Sequence, residues 1–177
     1  IILAGHSMGG MGAWNIAARH PTRFAGLAVI AGRADYYFWK NTSLKDLPSY
    51  KRQWIDAAFA YGQVTNLTNL PILCAHGAKD QLIPVEEGRH IVAALKPIHR
   101  RLRYMEFPQG DHWIQEEFFG QPDTRQWLQT LPASPAGAPQ HLRRVFYGEL
   151  LVGQPGCAAG VKTQHHLPGG GQVGAHP

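Results

Sequence analysis

The chain has 177 residues, of which 44% are hydrophobic and 16% are charged, with a formal net charge of +5 and two cysteines. This composition is typical of a folded domain, and two cysteines exclude a disulfide framework. No apolar run approaches the roughly 20 residues of a membrane-spanning helix, so we expect no membrane span. The basic residues are scattered and do not alternate with aromatic residues, so we expect no nucleic-acid partner.

The first predicted elements are a strand over residues 1–4 and a helix over residues 10–19, joined by a serine between glycines. Gly5, Ser7 and Gly9 fit the pattern Gly-x-Ser-x-Gly of a nucleophile elbow, a strained turn that exposes its serine. A glycine-rich turn in which the serine caps the helix is the simpler interpretation of the same residues.

The neighbours of Ser7 have expected roles of their own in an elbow. A side chain on Gly5 or Gly9 would collide with the adjacent strand or helix, which explains the glycines. His6 fills the variable position of the pattern. The helix begins directly after the serine, so its free N–H groups point to where an oxyanion would form, and the N–H of Met8 is the expected first donor.

A second strand is predicted over residues 24–31, and a long segment rich in aromatic residues follows it at 33–69. We expect this segment to be a cap-like insertion over the active-site rim. Tyr36 and Trp39 are candidates for substrate contacts, together with Trp113 further along the chain. Packing of the aromatic rings inside a small cap is the alternative.

The third predicted strand covers residues 72–76 and is followed by a turn with Asp80 and by a helix over 85–95. The carboxyl ends of parallel strands meet at one rim, so Asp80 is expected on the same rim as Ser7. An acidic residue is also common in turns and at helix starts without any catalytic role.

A fourth strand is predicted over residues 102–107, and a loop with Asp111 and His112 follows it before a last helix over 123–131. Neighbouring side chains point apart, so Asp111 is poorly placed to orient the ring of His112. We therefore prefer Asp80 as the orienting carboxylate and His112 as the base.

The chain order Ser7, Asp80, His112 is the order of the α/β-hydrolase triad. Residues 1 to about 131 resemble the C-terminal half of an α/β-hydrolase catalytic domain of the prolyl-oligopeptidase-like and dienelactone-hydrolase-like esterase group. The resemblance is carried by "GHSMGGMGAWNIAARHPTRFAGLAVIAG", "PILCAHGAKDQLIPVEEGRHIVAALK" and "GDHW". It implies an α/β fold with a parallel sheet and flanking helices.

The resemblance also implies chemistry: Ser7 as nucleophile, His112 as base, Asp80 as orienting acid and the Met8 N–H as oxyanion donor. The expected reaction is cleavage of a carboxylic ester, small or oligomeric, through an acyl-enzyme, with no cofactor and no metal. Met8 stands where prolyl-oligopeptidase-type peptidases usually carry an aromatic residue, which favours an esterase. A serine peptidase of this group is one alternative, and a catalytically silent binding module is another.

The expected organisation is a partial catalytic domain at residues 1–132 and a Gly- and Pro-rich tail at 133–177. The tail is rich in Gly and Pro and has only four charged residues, so we expect it to be disordered. The resemblance places further strands, a second oxyanion donor and any signal peptide upstream of Ile1, so residues 1–177 alone are expected to be almost inactive. The sequence accordingly assigns neither a compartment nor an oligomeric state.

Overall fold

The structure, a computed structural model, describes residues 1–131. The expected tail at 133–177 lies outside the described residues. The described part contains one parallel sheet with the strand order β1-β2-β3-β4. The strands are β1 (Ile2–His6), β2 (Gly26–Ile30), β3 (Ile72–Gly77) and β4 (Leu102–Phe107). The four strands expected from the sequence are therefore present, and β4 has the predicted bounds.

Helices alternate with these strands, as the sequence predicted. They are α1 (Met8–Arg19), α2 (Tyr36–Lys40), α3 (Ser49–Ala58), α4 (Val85–Leu95), α5 (Gln115–Gly120) and α6 (Pro122–Thr130). Short 3₁₀ helices cover Pro21–Arg23, Leu44–Asp46 and Ala60–Leu67. Among residues 1–131, no helix combines the length and the apolar character needed to cross a membrane.

The two central strands β2 and β3 are buried along their whole length because helices cover both faces of the sheet. Side chains alternate along a strand, so β2 feeds two separate cores. Leu27 and Val29 pack with α1 and α4 in one core, which includes Trp14 of α1, a residue that is 1% exposed. Ala28 and Ile30 pack with α5 and α6 on the opposite face. The fold is thus a three-layer α/β structure.

Part of the segment 33–69 belongs to the core beneath it. Its 3₁₀ helix Ala60–Leu67 packs against α1 and α4, and Ala60 donates its backbone N–H to Asn15 Oδ1 at 2.8 Å. Leu67 has no exposed surface. The sequence interpretation did not separate this core piece from the rest of the segment, for which a cap over the active site stays a prediction.

The connection between β4 and α5 is short and fixed at both ends. The Lys79 N–H donates to the Gly110 carbonyl at 2.9 Å, which ties the connection to the end of β3. Ile114, at the start of α5, is 3% exposed, and Phe118 is fully buried in the second core. The loop after β4 is therefore held between the sheet and the core.

Candidate active site

Ser7 lies in a sharp turn between β1 and α1, with φ 58° and ψ −120°. A positive φ in a residue other than glycine costs about 1–3 kcal/mol and persists only where the surroundings enforce it. The backbone supplies that constraint, because the Ser7 N–H donates to the Ile30 carbonyl at 2.9 Å and Ser7 accepts from the Met11 N–H at 3.0 Å. The strained turn predicted from the sequence is present.

The two glycines of the elbow differ in their surroundings. A Cβ on Gly5 would lie 2.2 Å from the Gly9 carbonyl oxygen, so a side chain there is sterically excluded as predicted. A Cβ on Gly9 would meet no atom within 4 Å. The prediction that a side chain on Gly9 would collide with its neighbours was therefore wrong. The Cα of Gly9 faces open space, and it is the Gly9 carbonyl that approaches β1.

The structure brings the side chains of Ser7, Asp80 and His112 together at the carboxyl ends of β1, β3 and β4. His112 Nε2 lies 2.9 Å from Ser7 Oγ, and His112 Nδ1 lies 2.8 Å from Asp80 Oδ2. An ionised carboxylate only accepts hydrogen bonds, so the ring proton is on Nδ1 and Nε2 is free to accept from the serine hydroxyl. This arrangement can deprotonate a serine during attack.

Asp80 is ionised although it is buried. Burial acts to raise its pKa, but the Ile83 N–H, the His112 ring and the Leu82 N–H all donate to the carboxylate and together hold the pKa below its usual value. The two backbone donors lie 2.8 Å and 2.9 Å from Oδ1, which leaves Oδ2 for His112. Asp111 accepts from the Trp113 N–H at 2.7 Å instead, so its carboxylate caps a local turn.

Met8 is the first residue of α1. The first N–H groups of a helix have no acceptor within it, and the helix dipole places positive charge there. The Met8 N–H is therefore suited to hold an oxyanion formed beside Ser7 Oγ. Its side chain is 78% exposed next to the serine.

The three aromatic substrate candidates lie in two different places. Trp113 is 63% exposed, and its ring lies 5.1 Å from that of His112, at the triad. Tyr36 and Trp39 pack against each other in α2, with ring centroids 6.2 Å apart, and Arg33 lies 4.9 Å over the Trp39 ring. Trp113 is the candidate that the structure brings to the triad.

Two histidines beside the triad make contacts that the sequence interpretation missed. His6 Nε2 lies 2.7 Å from the His112 carbonyl oxygen, and the two rings are 4.8 Å apart. His76 is fully buried behind Asp80, with Nε2 3.4 Å from Oδ2. Both residues flank the predicted site in the sequence, which was the available signal, but their partners depend on contacts between distant strands.

A parallel sheet covered on both faces, with a serine turn after one strand and an acid and a histidine after two others, defines the α/β-hydrolase fold. The model of the prolyl oligopeptidase family matches residues 1–129, and the chain belongs to that family. An uncharacterized secreted protein of Arthroderma benhamiae is 29% identical over 118 residues, which cover 63% of this chain and 13% of that protein. The chain thus corresponds to a small part of this relative.

Solved structures with the same fold include esterases and peptidases. A thermostable esterase aligns at a TM-score of 0.52 with 22% identity, over 74% of this chain and 31% of that chain. Dipeptidyl peptidase 4 of Porphyromonas gingivalis aligns at 0.60 with 16% identity, over 74% and 20%. An acylaminoacyl peptidase of Pyrococcus horikoshii aligns at 0.52 with 17% identity, over 73% and 22%. These alignments show the fold, and the neighbours that share it are named both as an esterase and as peptidases.

Proposed function

We propose that this chain carries the catalytic triad of a serine esterase, with Ser7 as nucleophile, His112 as general base and acid, and Asp80 as the orienting carboxylate. The observation that supports the proposal most is the unbroken line of hydrogen bonds, 2.9 Å from Ser7 to His112 and 2.8 Å from His112 to Asp80. A strained serine hydrogen-bonded to a histidine that is itself bonded to a carboxylate has no use in passive binding, which argues against a silent module.

The proposed reaction has two halves. Ser7 Oγ attacks the ester carbonyl carbon while its proton passes to His112 Nε2, and the Met8 N–H binds the oxyanion that forms. The oxyanion collapses, the bond to the alcohol oxygen breaks, and His112 Nε2 gives its proton to that oxygen. A water then loses a proton to Nε2 and attacks the acyl-enzyme, which releases the acid and restores the proton on Ser7 Oγ.

The surroundings of the triad support an ester with an apolar group. The two large side chains next to the reacting residues, Met8 and Trp113, are 78% and 63% exposed. We propose that they contact the acyl or alcohol group of a small or oligomeric ester. The thermostable esterase among the structural neighbours is consistent with this choice.

A serine peptidase is the second candidate. It is favoured by membership of the prolyl oligopeptidase family and by structural neighbours named as a dipeptidyl peptidase and an acylaminoacyl peptidase. The same triad serves both reactions, because only the leaving group differs. The choice between them depends on the substrate pocket.

The proposal is tested by labelling the full-length protein that carries these residues with a fluorophosphonate probe and mapping the modified peptide. We expect labelling at Ser7, no labelling of Ser7→Ala, and normal labelling of Ser43→Ala, a matched control on an exposed serine. Labelling that persists in Ser7→Ala would exclude Ser7 as the nucleophile.

Substrate class is tested separately with short-chain p-nitrophenyl esters and peptide anilides on the same preparation. An esterase should give the higher kcat/KM on the esters by at least about tenfold, and Ser7→Ala should remove both activities. A clear preference for the anilides would favour the peptidase.

A further inference from the structure

His76 is a buried histidine that the proposed reaction does not use. It lies in β3 with no exposed surface. Its Nε2 atom is 2.9 Å from the Ile83 carbonyl oxygen and 3.4 Å from Asp80 Oδ2. Among the described residues, its Nδ1 atom has no hydrogen-bond partner. One ring nitrogen thus faces two acceptors and the other faces none.

The packing around the ring determines which nitrogen carries the proton. A Cβ on Gly88 would lie 2.7 Å from His76 Nδ1, so the backbone of α4 closes the space on that side. A buried N–H without an acceptor is costly, so the proton belongs on Nε2, where it faces two oxygens. Burial lowers the pKa of His76, which keeps the ring neutral.

Three titratable groups act on the His76 ring. Asp80 and Glu106 favour its protonation and His112 opposes it. Arg89 offsets Glu106 by donating two hydrogen bonds to its carboxylate, at 2.9 Å and 2.6 Å. The main electrostatic partner of His76 is therefore Asp80.

We propose that His76 is a positioning residue for the proposed triad, whose Nε2–H donates to the Ile83 carbonyl and so holds the Asp80 turn in place. Ile83 is then fixed twice, because its N–H donates to Asp80 Oδ1 at 2.8 Å and its carbonyl accepts from His76. The kinetic consequence rests on the proposed function, whereas the contact itself does not.

The test uses two variants of the full-length protein that carries these residues, and the two differ in one hydrogen-bond donor. Gln and Met have similar length and flexibility, and only His76→Gln can supply an N–H near the position of Nε2. Proton NMR follows the downfield signal of the His112 Nδ1–H, and ¹⁵N shifts of the wild-type protein report the tautomer of His76. Ester kinetics are measured on the same samples.

We expect the Nε2–H tautomer of His76 in the wild-type protein. In His76→Met, the His112 Nδ1–H signal should broaden or vanish and kcat should fall about tenfold with KM within about twofold. His76→Gln should keep the signal and restore kcat to within about threefold of the wild-type value.

The proposal is overturned by the Nδ1–H tautomer of His76 in the wild-type protein, which decides the matter even if His76→Met does not fold. It is also overturned if a folded His76→Met keeps both the signal and kcat. Failure of the proposed function looks different: the wild-type protein would hydrolyse no ester, while the tautomer and the His112 signal would still follow the pattern above.

Discussion

Gly77→Ala should displace the proposed base, His112, from the proposed acid, Asp80, without substituting either residue. A Cβ on Gly77 would lie 2.1 Å from the Asp111 carbonyl oxygen and 2.6 Å from that of Gly110, whereas ordinary contact begins at 3.4 Å. The loop that carries His112 must therefore move by about 1 Å. A misplacement of this size costs about 10² in rate, so we expect kcat to fall by about that factor.

The assay for Gly77→Ala is steady-state ester hydrolysis, with circular dichroism and thermal unfolding on the same samples. Gly12→Ala is the matched control, because a Cβ there meets no atom within 4 Å and Ala favours the interior of α1. The control should keep wild-type kcat and gain up to about 1 kcal/mol in stability. The reasoning is refuted if folded Gly77→Ala has wild-type kcat, or if Gly12→Ala loses as much activity.

Three further predictions concern Asp80, Asp111 and Cys74. Asp80→Asn should lower kcat by about 10⁴ because the His112 ring loses its acceptor. Asp111→Asn loses only a local turn contact and should lower kcat less than about tenfold. Equal losses of kcat in the two variants would contradict the choice of Asp80 as the acid. The lowered pKa of Asp80 stabilises the fold at a pH above its ordinary value of 3.8 and loses that effect as the pH falls through the lowered value. Urea unfolding between pH 3 and 6 should accordingly show a weaker pH dependence in Asp80→Asn than in the wild type. Burial raises the pKa of Cys74 to about 12. Peptide mapping should therefore find Cys74 unmodified by a thiol reagent at about pH 8 until the protein is unfolded. Rapid modification of Cys74 in the native protein would contradict its burial.

The strands and helix α4 could be predicted from the sequence because the apolar pattern of each is set by its own residues. β4 and α4 have the predicted bounds, and β3 is one residue longer. Their apolar runs end at glycine or proline, which marks the rim of the sheet. The order of serine, acid and histidine then sufficed to predict which side chains meet.

Features that depend on distant contacts were not predictable in the same way. Helix α5 has six residues and a weak pattern, and its stability comes from burying Phe118 against the sheet. The open space next to the Gly9 Cα results from the direction in which α1 leaves the turn. The partners of His6 and His76 were missed because a histidine in sequence does not reveal which oxygen the fold brings to its ring.

The anchoring of the loop after β4 limits how this site can be controlled. His112 is two residues before Ile114, which is buried in the second core, and the loop is also bonded to the end of β3. Moving the backbone of His112 away from Ser7 would require removing Ile114 from that core, a cost comparable to partial unfolding. The backbone of His112 is therefore held in place in the folded domain, and we expect any regulation of the proposed triad to act on the entry of substrate or on the amount of folded protein.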